Sequence, residues 1–197
     1  MKKIRVLLIT LIALVLFISC NADTTAANMA DKNQNSTGKG KILIVYFSHS
    51  GTTKTAAELI QKNVGGDILE IKLADEYPAD YGLLTERVQE EQDKHILPAL
   101  STKIDNINTY DTIFIGHPIW RGTIPPPVLT FLSEYDLSGK TVVPFYTSES
   151  GTFGNSMTEL KKLAPNAKVL ENLIIQSSNI NNADNAIKEW LVKLKML

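Results

Sequence analysis

The stretch KILIVYFSHSGTTKT, residues 41–55, combines a buried strand, a polar loop and the start of a helix. Its first seven residues are almost all apolar and include β-branched and aromatic side chains. A continuous apolar run of this kind is typical of a strand that is covered on both faces, as in a parallel sheet. The next six residues, 48–53, carry four hydroxyl side chains and one glycine. We therefore interpret the stretch as a first strand that leads through a binding loop into a helix.

Strand and helix patterns alternate through the rest of the chain. Strands are predicted at 41–47, 67–73, 112–116, 141–146 and 168–176, and helices at 55–63, 79–94, 128–135, 156–163 and 183–194. This alternation predicts an α/β fold, a three-layer sandwich with a five-stranded parallel sheet in the order 2-1-3-4-5 and helices on both faces. In the second helix, Tyr81, Leu84 and Val88 form the predicted inner face. Pro144 cannot donate a hydrogen bond within the fourth strand, which predicts a bulge there.

Such sheets bind ligands beyond the carboxyl ends of their strands, where the strand order reverses. In the predicted order, this point lies between the first and third strands. Three loops follow the strands that meet there, at 48–53, 117–123 and 147–154. We expect the binding site to be built from these loops.

The first loop has the features of a phosphate site. Gly51 can adopt a positive φ, and the free N–H groups at the start of the next helix point at the loop. A P-loop is excluded because Thr53 precedes Lys54 where that motif needs Gly-Lys, and a dinucleotide fingerprint is excluded because it needs three glycines. The alternative is a hydroxyl-rich N-cap without a ligand.

The loop SHSGTT resembles the phosphate loop of flavodoxins, which usually reads Thr/Ser-x-Thr/Ser-Gly-x-Thr. Further segments are similar to one flavodoxin-like subgroup: GHPIW at 116–120, where the subgroup has Gly-Tyr-Pro-Ile-Trp, PPP at 125–127, FL at 131–132, YDLSGK at 135–140, TS at 147–148 and LAP at 163–165. The resemblance covers residues 41–197. It implies a flavodoxin-like fold and flavin mononucleotide (FMN) as the cofactor.

The resemblance also implies which residues hold the cofactor. The FMN phosphate is expected at Ser48, Ser50, Gly51, Thr52 and Thr53. The isoalloxazine ring is expected along Pro118, Ile119 and Trp120, with its polar edge at backbone groups of Ser148, Glu149, Ser150 and Gly151.

Four residues near the expected ring leave alternatives open. Trp120 is predicted to stack on the flavin, although an indole at a strand end also packs in a core or at its rim. Phe153 is a candidate for covering the other face of the ring. Arg121 stands where the subgroup often has a second Trp, and Glu149 stands where it often has Gly. The sequence does not determine which of these two charges lies closer to the ring.

Two histidines, His49 and His117, lie on the predicted binding loops. Either could donate a hydrogen bond or a proton to reduced flavin. The alternative is that both are solvated loop histidines.

The first 19 residues predict a signal peptide. Lys2, Lys3 and Arg5 precede an apolar run over residues 6–18, which is too short for a comfortable bilayer span. Residues 20–40 are polar and poor in large apolar side chains, and they predict a flexible tether to the domain at 41–197.

The end of the predicted signal peptide, FISC at residues 17–20, resembles the lipobox of bacterial lipoproteins. The cysteine of such a box is lipidated after cleavage, and Cys20 is therefore the expected lipidation site. Phe17 stands where these boxes usually carry Leu. We expect an exported, membrane-anchored lipoprotein that faces the periplasm or the cell exterior. An ordinary signal peptide, or a signal anchor with an incidental cysteine, is the alternative.

Composition narrows the class of function. Residues 40–197 contain 15 Lys and Arg against 19 Asp and Glu, a net charge of −4, and such a surface has no basic field to attract nucleic acid. One cysteine and three histidines do not suggest a metal site or a disulfide framework.

The sequence therefore predicts an FMN-binding redox protein of electron transport at the extracytoplasmic membrane surface. Its partner would be a redox protein or a small-molecule acceptor. One alternative is an FMN-dependent oxidoreductase that uses NAD(P)H to reduce quinones or other small acceptors, because the fold serves both roles. The other is an anchored binding domain that has lost flavin.

Overall fold

A computed structural model describes residues 40–197. The predicted signal peptide, Cys20 and the tether up to residue 39 lie outside the described residues. Within residues 40–197, no helix is both long and apolar enough to cross a membrane.

The centre of the fold is a parallel sheet of six strands. These are β1 Ile42–Tyr46, β2 Asp67–Glu70, β3 Thr112–Pro118, β4 Thr141–Ser148, β5 Lys168–Val169 and β6 Leu173–Gln176. The order is β2-β1-β3-β4-β5, and β6 pairs with β4 further along the same edge. Strand β1 is central, since Ile44 lies beside Ile68 of β2 on one side and Phe114 of β3 on the other. The predicted fold class and strand order are confirmed.

Five α-helices cover the two faces of the sheet. They are α1 Thr52–Val64, α2 Tyr81–Asp93, α3 Pro126–Glu134, α4 Ser156–Leu163 and α5 Asp184–Lys193, with short 3₁₀ turns at Ile107–Thr109 and Ser177–Asn182. Side chains of β1 alternate between two cores. Ile44 belongs to the core with α1 and α5, and Val45 to the core with α2, α3 and α4. Because the strand is buried on both faces, it reads as a continuous apolar run.

The second strand is shorter than predicted, because the chain turns away to a different partner. The N–H of Ile71 still donates to Tyr46 O of β1 at 2.7 Å, but the N–H of Lys72 donates to Thr102 Oγ1 at 2.8 Å. Leu73 then pairs antiparallel with Leu100. Residues 71–73 therefore lead out of the sheet and into the segment before α2.

The bulge expected at Pro144 lies in the neighbouring strand. Strand β4 pairs residue for residue with β3 through Pro144, which lies beside Ile115. On the other side, Leu170 N donates to Val142 O, and pairing resumes only at Phe145 with Leu173. Because N–H directions alternate along a strand, the N–H that proline lacks would face this same edge. The fifth predicted strand is thus divided into β5 and β6 at the position where Pro144 has no donor.

The inner face of α2 is partly as predicted. Leu84 and Val88 are buried against the sheet, but Tyr81, one turn earlier on the same stripe, is 80% exposed. The helix begins at Tyr81, where the core has ended and a cavity opens. The predicted helical period of α2 is confirmed, but the core ends before it reaches Tyr81.

Candidate functional site

A cavity of about 400 Å³ opens at the carboxyl edge of the sheet. This volume lies within the range typical of small-molecule and cofactor sites, about 300–1,000 Å³. The carboxyl ends of β3 and β4 and the segments after β1, β3 and β4 each contribute to its wall, through His49, Ser50, Thr52, Thr53, residues 118–121 and residues 147–149. A further wall comes from α2, through Tyr81, Leu84, Thr85 and Val88, and from Ala79, which lies two residues before the helix. We did not predict this wall, and the sequence signal for it was an aromatic residue at the start of an amphipathic helix.

The turn from β1 into α1 depends on the backbone of Gly51. Its φ is 88°, in the left-handed region, although a Cβ there would meet no atom within 4 Å. Conformation rather than space therefore favours glycine at this position. The N–H of Gly51 donates to Ser48 Oγ at 3.1 Å, which fixes the turn.

The start of α1 is left without a protein cap. Among residues 40–197, no side chain accepts a hydrogen bond as an N-cap of α1, and the first turn of the helix has no acidic residue. The alternative of a hydroxyl N-cap is therefore wrong. The first N–H groups of a helix have no intrahelical partner and carry the positive end of the helix dipole. An anion in this end of the cavity would satisfy them.

Hydroxyl side chains gather at the same end. Ser50 Oγ lies 3.2 Å from Thr52 Oγ1, and Thr53 Oγ1 lies 2.7 Å from Thr147 Oγ1. The second pair is buried and joins the start of α1 to the end of β4. Two hydroxyls that share one hydrogen bond keep one O–H free to donate to a third group. Thr147 is not among the predicted site residues, although the Thr-Ser pair at 147–148 directly follows the predicted fourth strand.

Trp120 is presented by a tight turn after β3. Its N–H and C=O both bond with Thr123, while Arg121 and Gly122 have φ values of 49° and 77°. Two successive positive φ values are the signature of a type I′ turn. For arginine this conformation carries a strain cost of about 1–3 kcal/mol.

The indole is both core and cavity wall. Its ring is half-buried, edge-on to Phe47 at 5.2 Å and to Tyr77 at 5.5 Å, and it also lines the cavity beside His49 at 6.1 Å. The two interpretations of Trp120 are therefore compatible, because one edge of the ring packs while the rest faces the cavity.

A buried polar network supports this aromatic cluster from behind. The hydroxyl of Tyr77 donates to Glu91 Oε2 at 2.5 Å, and Arg87 Nε donates to Glu91 Oε1 at 2.9 Å. Burial and the Glu91 carboxylate raise the pKa of Tyr77 far above its usual value, so the phenol stays protonated. Since each oxygen of the buried Glu91 carboxylate has a donor, the network holds Tyr77, and through it Trp120, in one position.

The two charges beside the expected ring position are arranged differently. The guanidinium of Arg121 turns toward α2, 3.2 Å from Asp93 Oδ1 and 3.4 Å from Gln89 O. The carboxylate of Glu149 makes no ion pair among the described residues. The backbone oxygen of Glu149 accepts a hydrogen bond from Gln176 Nε2 at 3.0 Å. Both residues line the cavity, but a neighbouring carboxylate offsets the charge of Arg121.

The loop after β4 is held by a chain of hydroxyls. Ser148 Oγ lies 3.1 Å from Ser150 Oγ, which lies 2.9 Å from Thr152 Oγ1, and Gly151 between them has a φ of 71°. Ser148 and Glu149 line the cavity, whereas Ser150 and Gly151 lie in the turn behind them.

Phe153 follows this turn but is not among the residues that line the cavity. Its ring lies 6.3 Å from the ring of Tyr146. The structure thus does not bring Phe153 together with the other predicted site residues.

The two histidines have different environments. His49 lines the cavity and is exposed, as a loop residue should be. His117 belongs to β3 rather than to the loop, and it is only 1% exposed. Its ring lies 4.6 Å from the ring of Tyr146, and its Nδ1 is 3.0 Å from Pro118 O. Burial lowers the pKa of His117 to about 4, so the imidazole is neutral. The expectation that His117 is a loop histidine is wrong, because pairing of β3 continues through Pro118.

The described residues contain no group of three or more His, Cys, Asp or Glu side chains that could hold a metal ion.

Comparisons with known proteins find similarity to flavodoxins or flavoproteins. A family model described as flavodoxin matches residues 41–194. A provisionally assigned flavoprotein from Bacteroides eggerthii is 39% identical, with a TM-score of 0.69, over 78% of this chain and 96% of its own. A similarly assigned protein from Bacteroides uniformis is 34% identical, with a TM-score of 0.69, over 78% and 98%. A Lactobacillus acidophilus flavoprotein solved in complex with FMN is 27% identical, with a TM-score of 0.58, over 73% and 97%. A search of curated proteins finds no match.

The buried neutral state of His117 predicts a pH dependence of stability. The ordinary histidine pKa of 6.5 applies to the unfolded chain, and about 4 to the folded one. Between these values the unfolded chain binds a proton that the folded protein does not, so stability falls as the pH falls through this window. From pH 7.5 to 5.0, His117 alone should lower the free energy of unfolding by about 2 kcal/mol.

Urea denaturation at the two pH values measures this contribution. His117→Gln should lose about 2 kcal/mol less between them than the unchanged protein, while His49→Gln should behave like the unchanged protein. An equal loss in His117→Gln and in the unchanged protein would contradict a neutral buried imidazole.

Proposed function

This chain belongs to the flavodoxin family, and we propose that it binds FMN in the cavity above β1 and transfers electrons through it. One observation carries the proposal. The uncapped start of α1, with its left-handed glycine and its hydroxyls, opens into a cavity that has a half-buried indole in its wall. A phosphate and a flat aromatic ring, joined by a polar chain, match the chemistry of the two ends. The FMN complex of the Lactobacillus acidophilus relative supports the same cofactor.

The phosphate end would rest on residues 48–53. Backbone N–H groups and the hydroxyls of Ser50, Thr52 and Thr53 would donate to the phosphate oxygens, while Gly51 shapes the turn. The absence of acidic residues from the first turn of α1 removes a source of repulsion. Ser48 would act through its bond to the Gly51 N–H.

The ring end would rest on Pro118, Ile119 and Trp120. The free part of the indole face would pack on the isoalloxazine, and backbone groups of residues 148–151 would meet its polar edge. FMN supplies the redox chemistry, and the protein binds the ring, orients it and excludes water from it. Arg121 and Glu149 would set the local charge near the ring, with Asp93 offsetting Arg121.

Flavin titration tests the phosphate end. Thr52→Val removes one hydroxyl, and we expect it to weaken FMN binding by about tenfold, because a hydrogen bond to a charged group is lost. Riboflavin has no phosphate, so its affinity should not change. Thr158→Val, an exposed threonine of α4, is the matched control. Equal weakening of both flavins, or of neither, would contradict the proposed phosphate site.

The proposed role is electron transfer rather than turnover of NAD(P)H. The net charge of −4 over residues 40–197 offers little electrostatic steering toward a basic partner. A membrane tether would compensate by raising the local concentration of the protein near partners in the membrane. With FMN bound, we expect NAD(P)H oxidation with a quinone acceptor to stay below about 1 s⁻¹, under the range of typical enzymes. Turnover within that range would favour the alternative, an FMN-dependent oxidoreductase.

The proposed location is the outer surface of a membrane, with Cys20 as the anchor. The support is the leader pattern: a basic start, an apolar run over residues 6–18 and, two residues later, the single cysteine of the chain. In a bacterial host given a labelled fatty acid, the protein should carry the label and fractionate with membranes, and Cys20→Ser should lose the label. Membrane association without label in the unchanged protein would contradict lipidation.

A further inference from the structure

Two aromatic side chains other than His49 line the cavity, and they differ in how they are held. Trp120 is fixed by edge-on contacts with Phe47 and Tyr77. Tyr81 is 80% exposed, which makes it the most exposed large hydrophobic side chain of residues 40–197. A single exposed aromatic residue is common on protein surfaces. Its position on a cavity wall is what gives this one significance.

The backbone beneath Tyr81 is fixed. Asp80 caps α2 by accepting from Leu83 N at 2.9 Å, and Thr85 Oγ1 donates to Tyr81 O at 2.8 Å. Leu84 lies on the same stripe and is buried against the sheet. The first residue of α2 therefore has a defined direction, and only the side-chain torsions of Tyr81 remain free to adjust.

The Tyr81 ring has no partner in the described part of the chain. No ring contact or side-chain hydrogen bond involves it, whereas Tyr77, Tyr110 and Tyr135 each use their hydroxyl in a bond to another residue. Tyr81 thus presents a large apolar surface to the cavity that no other residue of 40–197 covers. A planar ligand there would bury it, and aromatic pairs of this kind add about 0.5–1.5 kcal/mol beyond the area they bury.

Phe153, the other candidate for covering the second face of the flavin ring, is less well placed. It is 39% exposed, its ring lies against Tyr146, and it is not part of the cavity wall. The backbone next to it is tied down, since Asn155 N donates to Gly122 O at 2.8 Å and a Cβ at Gly154 would meet that same oxygen at 2.0 Å. The backbone that carries Phe153 is thus fixed in a place from which its ring does not line the cavity.

From these contacts we infer that Tyr81 covers the face of the bound flavin ring that Trp120 leaves open. This inference rests on the proposed FMN site and deepens it. The flavin ring would then have one rigid aromatic partner from the loop after β3 and one adjustable partner from α2. An aromatic cover also shields the ring from water, and tyrosine against a flavin quenches the fluorescence of the flavin by electron transfer.

Flavin binding by variants of the full chain tests the inference. Tyr81→Ala should weaken both FMN and riboflavin by about 3- to 10-fold, since both flavins carry the same ring, and bound FMN should become more fluorescent. Tyr81→Phe should keep nearly all of the affinity. Leu83→Ala is the matched control, because Leu83 is 55% exposed in the same turn of α2 and does not line the cavity.

The outcomes separate this inference from the proposed function. If the unchanged protein binds FMN while Tyr81→Ala keeps its affinity and its fluorescence, the role of Tyr81 is refuted and the FMN site stands. If Phe153→Ala weakens both flavins and Tyr81→Ala does not, Phe153 is the cover. If the unchanged protein binds neither flavin, the proposed function fails and the role of Tyr81 fails with it.

Discussion

The position of β1 between β2 and β3 is the constraint on which the site depends. From β1 the chain goes to β2 on one side of the strand, and it later crosses to β3 on the other side. The connections that leave the carboxyl ends of β1 and β3 therefore diverge and open a crevice above the sheet. The chain must turn from β1 directly into α1 at that crevice, and Gly51 makes the turn possible with its left-handed backbone. The same geometry brings the end of β4 near enough for Thr147 to bond to Thr53. The turn at Gly51 and the bond to Thr147 thus fix the start of α1 without the help of a ligand.

The two ends of the cavity are built on different principles. One end offers backbone N–H groups and short hydroxyls, whose positions follow from the helix itself. The other end offers aromatic side chains, whose positions depend on packing. Trp120 is held by Phe47 and Tyr77, and Tyr77 is held by the buried Glu91 carboxylate. Removing a donor from a buried carboxylate is costly, because the charge is then left without a partner. The network therefore holds Tyr77 in place, and this favours a single orientation of the indole.

The sequence was sufficient for the fold because each strand carries a local signal. Continuous apolar runs indicated buried parallel strands, and their alternation with helices left few topologies to consider. A glycine among hydroxyls before a helix is also a local pattern, and it predicted the left-handed turn at Gly51, while phosphate binding at 48–53 stays a prediction. Periodicity predicted which side of α2 faces inward, but not that the core ends before Tyr81. The strand pairing that encloses His117, the division of the last strand opposite Pro144 and the burial of Glu91 all depend on partners distant in sequence, which one sequence does not identify.

A crystal structure of the full chain with FMN tests the central claim most directly. The account predicts the phosphate within hydrogen-bond distance of backbone N–H groups at the start of α1 and of the hydroxyls of Ser50, Thr52 and Thr53. It also predicts the isoalloxazine ring against Trp120. A phosphate that faces solvent while the ring occupies the start of α1, or FMN bound away from the carboxyl edge of the sheet, would contradict it.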